Sequence, residues 1–153
     1  MNKKNNTEQT LKLNVVSQYI KDLSFENPNA PLSLTKLQSN PNIDFNVNTN
    51  VNKLQQDHYE VSLQISAKAI DNSGEKEEII FLLEIQYAGL FVVGGISDDK
   101  INEVLLVNCP SILFPYIRRI IADITRDGGF PPLTIDPIDF YGLYLKNREN
   151  NKD

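Results

Sequence analysis

The chain has 153 residues, one cysteine, one histidine and a formal net charge of −5. This length suits a single domain able to bury a core, with polar tails at about 1–10 and 148–153. A net negative charge argues against non-specific nucleic-acid binding, which needs clustered Lys and Arg. The lone thiol excludes an intrachain disulfide and fits a reducing compartment. No apolar run in the sequence approaches the roughly 20 residues that span a bilayer. The polar start, MNKKNNTEQT, also lacks the apolar segment of a signal peptide. A cytoplasmic chain without membrane insertion is therefore expected.

From Leu11 the pattern has period two. Leu11, Leu13, Val15, Ser17, Tyr19, Leu23 and Phe25 fall on one face. Val16, Gln18, Ile20, Asp22, Ser24 and Glu26 fall on the other. Pro28 and Pro31 end this strand, since proline cannot continue a ladder. Leu32–Asn42 reads as a loop holding Leu32, Leu34 and Leu37. A second strand presents Ile43, Phe45, Val47, Thr49 and Val51. A third presents Tyr59, Val61, Leu63, Ile65, Ala67 and Ala69. Asp71–Gly74 is a turn by residue type. A fourth strand over about Glu78–Phe91 points Phe81, Leu83, Ile85 and Tyr87 to the core, and Ile80, Leu82, Glu84 and Gln86 outward. Four strands joined in this way favour an antiparallel sheet with one apolar face to be covered.

After Gly94–Gly95 the apolar period becomes helical. Ser97 or Asp98 can cap a helix bearing Ile101, Val104 and Leu105. Pro110 suits a first helical position. Pro115 predicts a break, so a short turn over Pro110–Phe114 and a main helix from Pro115 are expected. Leu113, Ile117, Ile120, Ile121 and Ile124 form its apolar stripe. Gly128–Gly129 and Pro131–Pro132 stop it. A last helix is expected over Pro137–Asn147. The fold class is α+β, a four-stranded antiparallel sheet with helices packed on one face.

Little reactive chemistry is present. His58 follows Asp57, but adjacent strand residues point to opposite faces, which suits no catalytic pair. Cys109, before Pro110, reads as a buried helix-junction residue. One Cys and one His with scattered acids do not make a metal site, and no phosphate-binding glycine run exists. No enzyme and no cofactor are expected. The informative feature is surplus apolar surface: a helix over Lys100–Asn108 greasy on more than one side, Val16 and Ile20 on a polar strand face, and Phe114, Phe130 and Tyr144 near chain bends. Such surplus points to self-association or to a binding groove.

Three segments in order resemble the signatures of the SecB protein-export chaperones: KDLSFENPNAP (Lys21–Pro31), FLLEIQYAGLF (Phe81–Phe91), and NCPSILFPYIRR followed by GGFPPLTIDPIDF (Asn108–Phe140). The resemblance runs from about Val15 to Lys146. It implies a homotetramer built as a dimer of dimers. Such a chaperone would hold unfolded precursor polypeptides in apolar grooves without ATP and deliver them to SecA of the Sec translocon. It assigns SecA binding to Asp22, Glu26, Leu82 and Glu84, on an acidic exposed sheet face. The matching motor tail is basic and carries its own zinc. The groove wall would combine the loop after strand one, strand two and the helix after Pro110, with Leu37, Phe45, Val47, Phe114, Ile121 and Ile124 as candidates. The loop departs from the family, whose members often place aromatics where this chain has Leu34 and Leu37. The alternative reading is a general anti-aggregation holdase, or a chaperone for one client, uncoupled from export.

Overall fold

The computed structural model describes residues 9–36 and 41–151. Most of the expected N-terminal tail, the groove candidate Leu37 and the last two residues lie outside the described residues. Strands β1 (Lys12–Glu26), β2 (Asn42–Gln55), β3 (His58–Asp71) and β4 (Glu78–Gly94) form one antiparallel sheet in the order β1-β4-β3-β2. β1 and β2 therefore occupy opposite edges, and the segment between them crosses the sheet. Part of that segment, expected as a loop, is a four-residue helix, α1 (Leu32–Thr35). Just before it, Asn27 ties this segment to a stretch 101 residues further along the chain by donating to the Gly128 carbonyl at 3.0 Å.

The alternation read from β2 and β3 holds. Ile43, Phe45, Val47, Thr49 and Val51 stand opposite Ala69, Ala67, Ile65, Leu63 and Val61. The inward rows of β3 and β4 make the core with Leu105, Cys109, Leu113, Ile117 and Ile121. Ile80 departs from its expected outward position. It is the extra residue of a bulge opposite Ala69 and Ile70, and it is buried in the core.

β1 departs more. Its register with β4 slips once between Val15 and Ser17 and again between Ile20 and Asp22, so Val16 and Lys21 are bulge residues. Each bulge shifts the strand's facing by one residue. Between them, Gln18 and Ile20 turn to the helix side, opposite Gly89 and Tyr87, while Ser17 and Tyr19 turn outward. The side chains agree: Tyr87 donates to Gln18 on the inner side, and Tyr19 to Glu60 on the outer. After the second bulge the original phase returns.

The helical region is one helix, α2 (Asp98–Asp127), not two separated by a break at Pro115. Over Val104–Asn108 it widens to a π turn, in which the Cys109 N–H reaches back five residues to the Val104 carbonyl. The wider turn accommodates the ring of Pro110, which would otherwise press on the carbonyl one turn earlier. Pro115 is tolerated because it and Ser111, whose carbonyl loses its partner, lie on the solvent side. Against the expectation that no apolar run approaches a bilayer span, the merged helix is long and apolar enough, by length and composition, to cross a membrane. Its apolar side is occupied by the sheet, and Arg118, Arg119 and Arg126 stand exposed on the other. In its last turn, the buried Thr125 hydroxyl donates to the Ile121 carbonyl and accepts from the Leu133 N–H, fixing the chain's exit. The last helix, α3 (Phe140–Asn150), starts later than expected and absorbs part of the expected C-terminal tail, because the Asp139 carboxylate caps it by accepting from the Gly142 N–H at 3.0 Å.

Candidate binding surfaces

Antiparallel register lines up the outward side chains of all four strands in rows. Glu26, Leu82, Lys68 and Asp44 form one row; Ser24, Glu84, Ser66 and Asn46 form the next. Asp22 follows one row further along, opposite Gln86. These residues line or border a shallow cavity of about 390 Å³ on the outward face. The second bulge of β1 cancels the first, so Asp22 and Glu26 keep this face. Either bulge alone would have turned them toward the helices. Asp22, Glu26 and Glu84 are exposed, Leu82 is half-buried, and the three acids make no ion pair among the described residues.

The other side of the sheet keeps apolar surface open at both edges. At the β2 edge, Val47 and Thr49 face Leu106, Phe140, Leu143 and Tyr144 across a cleft of about 320 Å³. Phe45 stands 37% exposed on the same strand. At the β1 edge, Ile20, Tyr87, Ile120 and Ile124 line a cleft of about 400 Å³ rimmed by Arg119, Asp123 and Asp127. Ile20 owes its place there to the first bulge. Of the groove candidates, Phe45, Val47 and Ile124 retain surface. Phe114 and Ile121 do not, being 7% and 0% exposed. Ile121 lies on the helix's continuous apolar stripe within the core, and Phe114 packs edge-on against Phe140 of α3. Leu106 and Leu143 were missed as lining residues. Their spacing marks only a helix face, and the cleft exists because α3 packs on α2 near Val104–Asn108 and leaves a gap to β2.

The reactive candidates are placed apart. His58 opens β3 beside the hairpin turn, its Nδ1 3.0 Å from the Gln56 carbonyl. Asp57 takes positive φ in that turn, and its carbonyl accepts from the Val93 N–H. Cys109 is fully buried, and burial pushes its thiol up to about 12, away from the nucleophilic thiolate. No cluster of three or more His, Cys, Asp or Glu that could hold a metal exists among the described residues.

A sheet sealed by helices on one side, acidic on the other and open to apolar contact at both edges is the architecture of a binding protein. The sequence comparisons agree. Residues 5–151 match the family model of "Preprotein translocase subunit SecB". A "Protein-export protein SecB" of Parvibaculum lavamentivorans is 48% identical over 141 residues, covering 92% of this chain and 82% of the relative. One from Rhodopseudomonas palustris strain HaA2 is 47% identical, covering 90% and 84%. Among solved structures, a Mycobacterium tuberculosis SecB-like chaperone in complex with a peptide from the HigA1 antitoxin has the same fold. Its TM-score is 0.66 at 16% identity, covering 82% of this chain and 90% of that one. The chain belongs to the SecB family of protein-export chaperones.

Proposed function

We propose that this chain holds unfolded precursor polypeptides in the cytoplasm, as a homotetramer and without catalysis, and hands them to SecA. The observation that carries the reading is the gathering of Asp22, Glu26, Leu82 and Glu84 on one outward patch from two neighbouring strands. Exposed unpaired carboxylates around one half-buried leucine suit a basic docking tail, with charge steering the encounter. Client segments bind on the opposite side, along Phe45, Val47 and the cleft of Leu106, Phe140 and Leu143, with Ile124 contributing at the β1 edge. Apolar area leaves water there at about 25 cal/mol per Å², without directional selectivity. Several weak segments on one oligomer add through effective concentration.

The test separates the two surfaces. Asp22→Lys with Glu84→Lys is expected to abolish binding to purified SecA while leaving suppression of aggregation of a denatured precursor intact. Val47→Asp with Leu143→Asp is expected to do the reverse. SecA binding untouched by the first pair would overturn the docking assignment. Holding by the native protein with no SecA binding at all would leave a general holdase.

A further inference from the structure

The second bulge of β1 has an electrostatic effect on the outward face. A bulge sets two consecutive residues on the same side of the strand. Here those residues are Lys21 and Asp22, a cation beside a proposed docking acid. Left alone, the ammonium would neutralise that acid. It is drawn the other way: Lys21 Nζ donates to Glu60 Oε1 at 2.9 Å, and Tyr19 donates to Oε2 of the same carboxylate. Glu60 sits on β3, two strands away, and the contact passes over Ala88 and Leu90 of β4. The Glu60 side chain is 14% exposed, and the Tyr19 and Lys21 hydrogen bonds hold its carboxyl below the usual range, so it is charged at neutral pH.

We propose that Glu60 is a positioning residue for the docking face: it sequesters Lys21 and so leaves Asp22, Glu26 and Glu84 free to attract a basic partner. The inference rests on the docking reading above. Tyr19 shares the task, since its hydrogen bond fixes the carboxylate rotamer that Lys21 meets.

The experiment measures equilibrium binding of the full-length tetramer to purified SecA at low and high salt. Glu60→Gln keeps the shape and the acceptor for Tyr19 but releases Lys21. Affinity at low salt is expected to fall about threefold to tenfold, mostly through the association rate, with the loss shrinking as salt rises. Adding Lys21→Met to Glu60→Gln removes the released cation and is expected to restore affinity to within about twofold. Lys21→Met alone is expected to bind as tightly as the native chain or tighter. No loss in Glu60→Gln, no rescue in the double variant, or weakened binding by Lys21→Met would each overturn the proposal. Failed rescue would make Glu60 a structural tie only. Asp22→Lys with Glu84→Lys, run alongside, distinguishes that failure from failure of the docking reading, because it bypasses Glu60.

Discussion

Gly128 lies against the ring of Phe25: a Cβ built on the glycine would fall 2.5 Å from Cε1 and Cζ. Gly128 ends α2 with φ −74°, so close approach, not positive φ, requires the missing side chain. The contact joins the last turn of β1 to the end of the long helix. Phe25 in turn stacks on Phe81, with centroids 5.6 Å apart, and meets Phe130 at 6.5 Å. Gly128→Ala must push this cluster aside and is expected to destabilise the fold by about 1–3 kcal/mol. Urea denaturation followed by circular dichroism measures it. A midpoint unchanged from the native chain would show that Phe25 can move freely.

The helix through Pro115 suggests a stabilising change. Pro115 cannot donate to the Ser111 carbonyl one turn back, and both residues are on the solvent side. Pro115→Ala supplies the missing N–H and a better helix former. A gain of roughly 1–3 kcal/mol is expected, read as a higher thermal midpoint. A lower midpoint would mean that the helix depends on the ring for its curvature.

Of the five groups among the described residues whose titration the fold shifts, Cys109, Tyr19 and Glu60 illustrate both signs of the pH profile. Burial pushes the Cys109 thiol from its usual 9.0 up to about 12, so the unfolded chain ionises it first. Burial, then the hydrogen bond and charge of Glu60, raise the Tyr19 phenol from 10.0 to about 12. An acid whose folded pKa is raised binds its proton longer in the native state. Stability is therefore whole below the unfolded pKa and falls as pH rises from there toward the folded one. Glu60 has the opposite sign: its carboxyl is held down, so its contribution is whole above 4.5 and is lost as pH falls through the lowered value. Urea midpoints are expected to be flat with respect to these groups from about pH 6 to 8 and to decline above pH ~9. Cys109→Ala should remove the decline that begins near 9.0 and leave the later one due to Tyr19 and Tyr87, whose phenols burial also raises. An unchanged onset in that variant would exclude the thiol as its source.

The cap on α3 decides how firmly the β2-edge cleft is walled. Asp139→Ala leaves the Gly142 N–H without its acceptor and is expected to destabilise by about 1 kcal/mol. Amide exchange should speed up selectively in Phe140–Leu143, and holding of a denatured client should weaken with it. Exchange that stays slow there would show that packing of Phe140 against Phe114 suffices.

Much of this architecture was legible before any coordinates. Clean period-two runs in β2, β3 and, from Phe81 onward, β4 carry their facing in the residues themselves, because side chains on a strand alternate by covalent geometry. The same alternation puts Asp22, Ser24 and Glu26 on one face and Leu82 with Glu84 on the outward side, as the register has them. What the chain alone could not show was decided by pairing and packing. The bulges at Val16 and Lys21 exist only in relation to β4, so no local pattern reveals that Tyr19 and Ile20 exchange sides. Pro115 reads locally as a break, yet the sheet holds an unbroken apolar stripe against itself, and tertiary burial outweighs one lost hydrogen bond. The same continuity keeps Ile121 in the core, and the docking of α3 buries Phe114 against Phe140 and leaves Leu106 and Leu143 to line the cleft. Sequence determines which side chains alternate along a segment. Only contact with another segment determines where the alternation slips and which apolar groups are left uncovered.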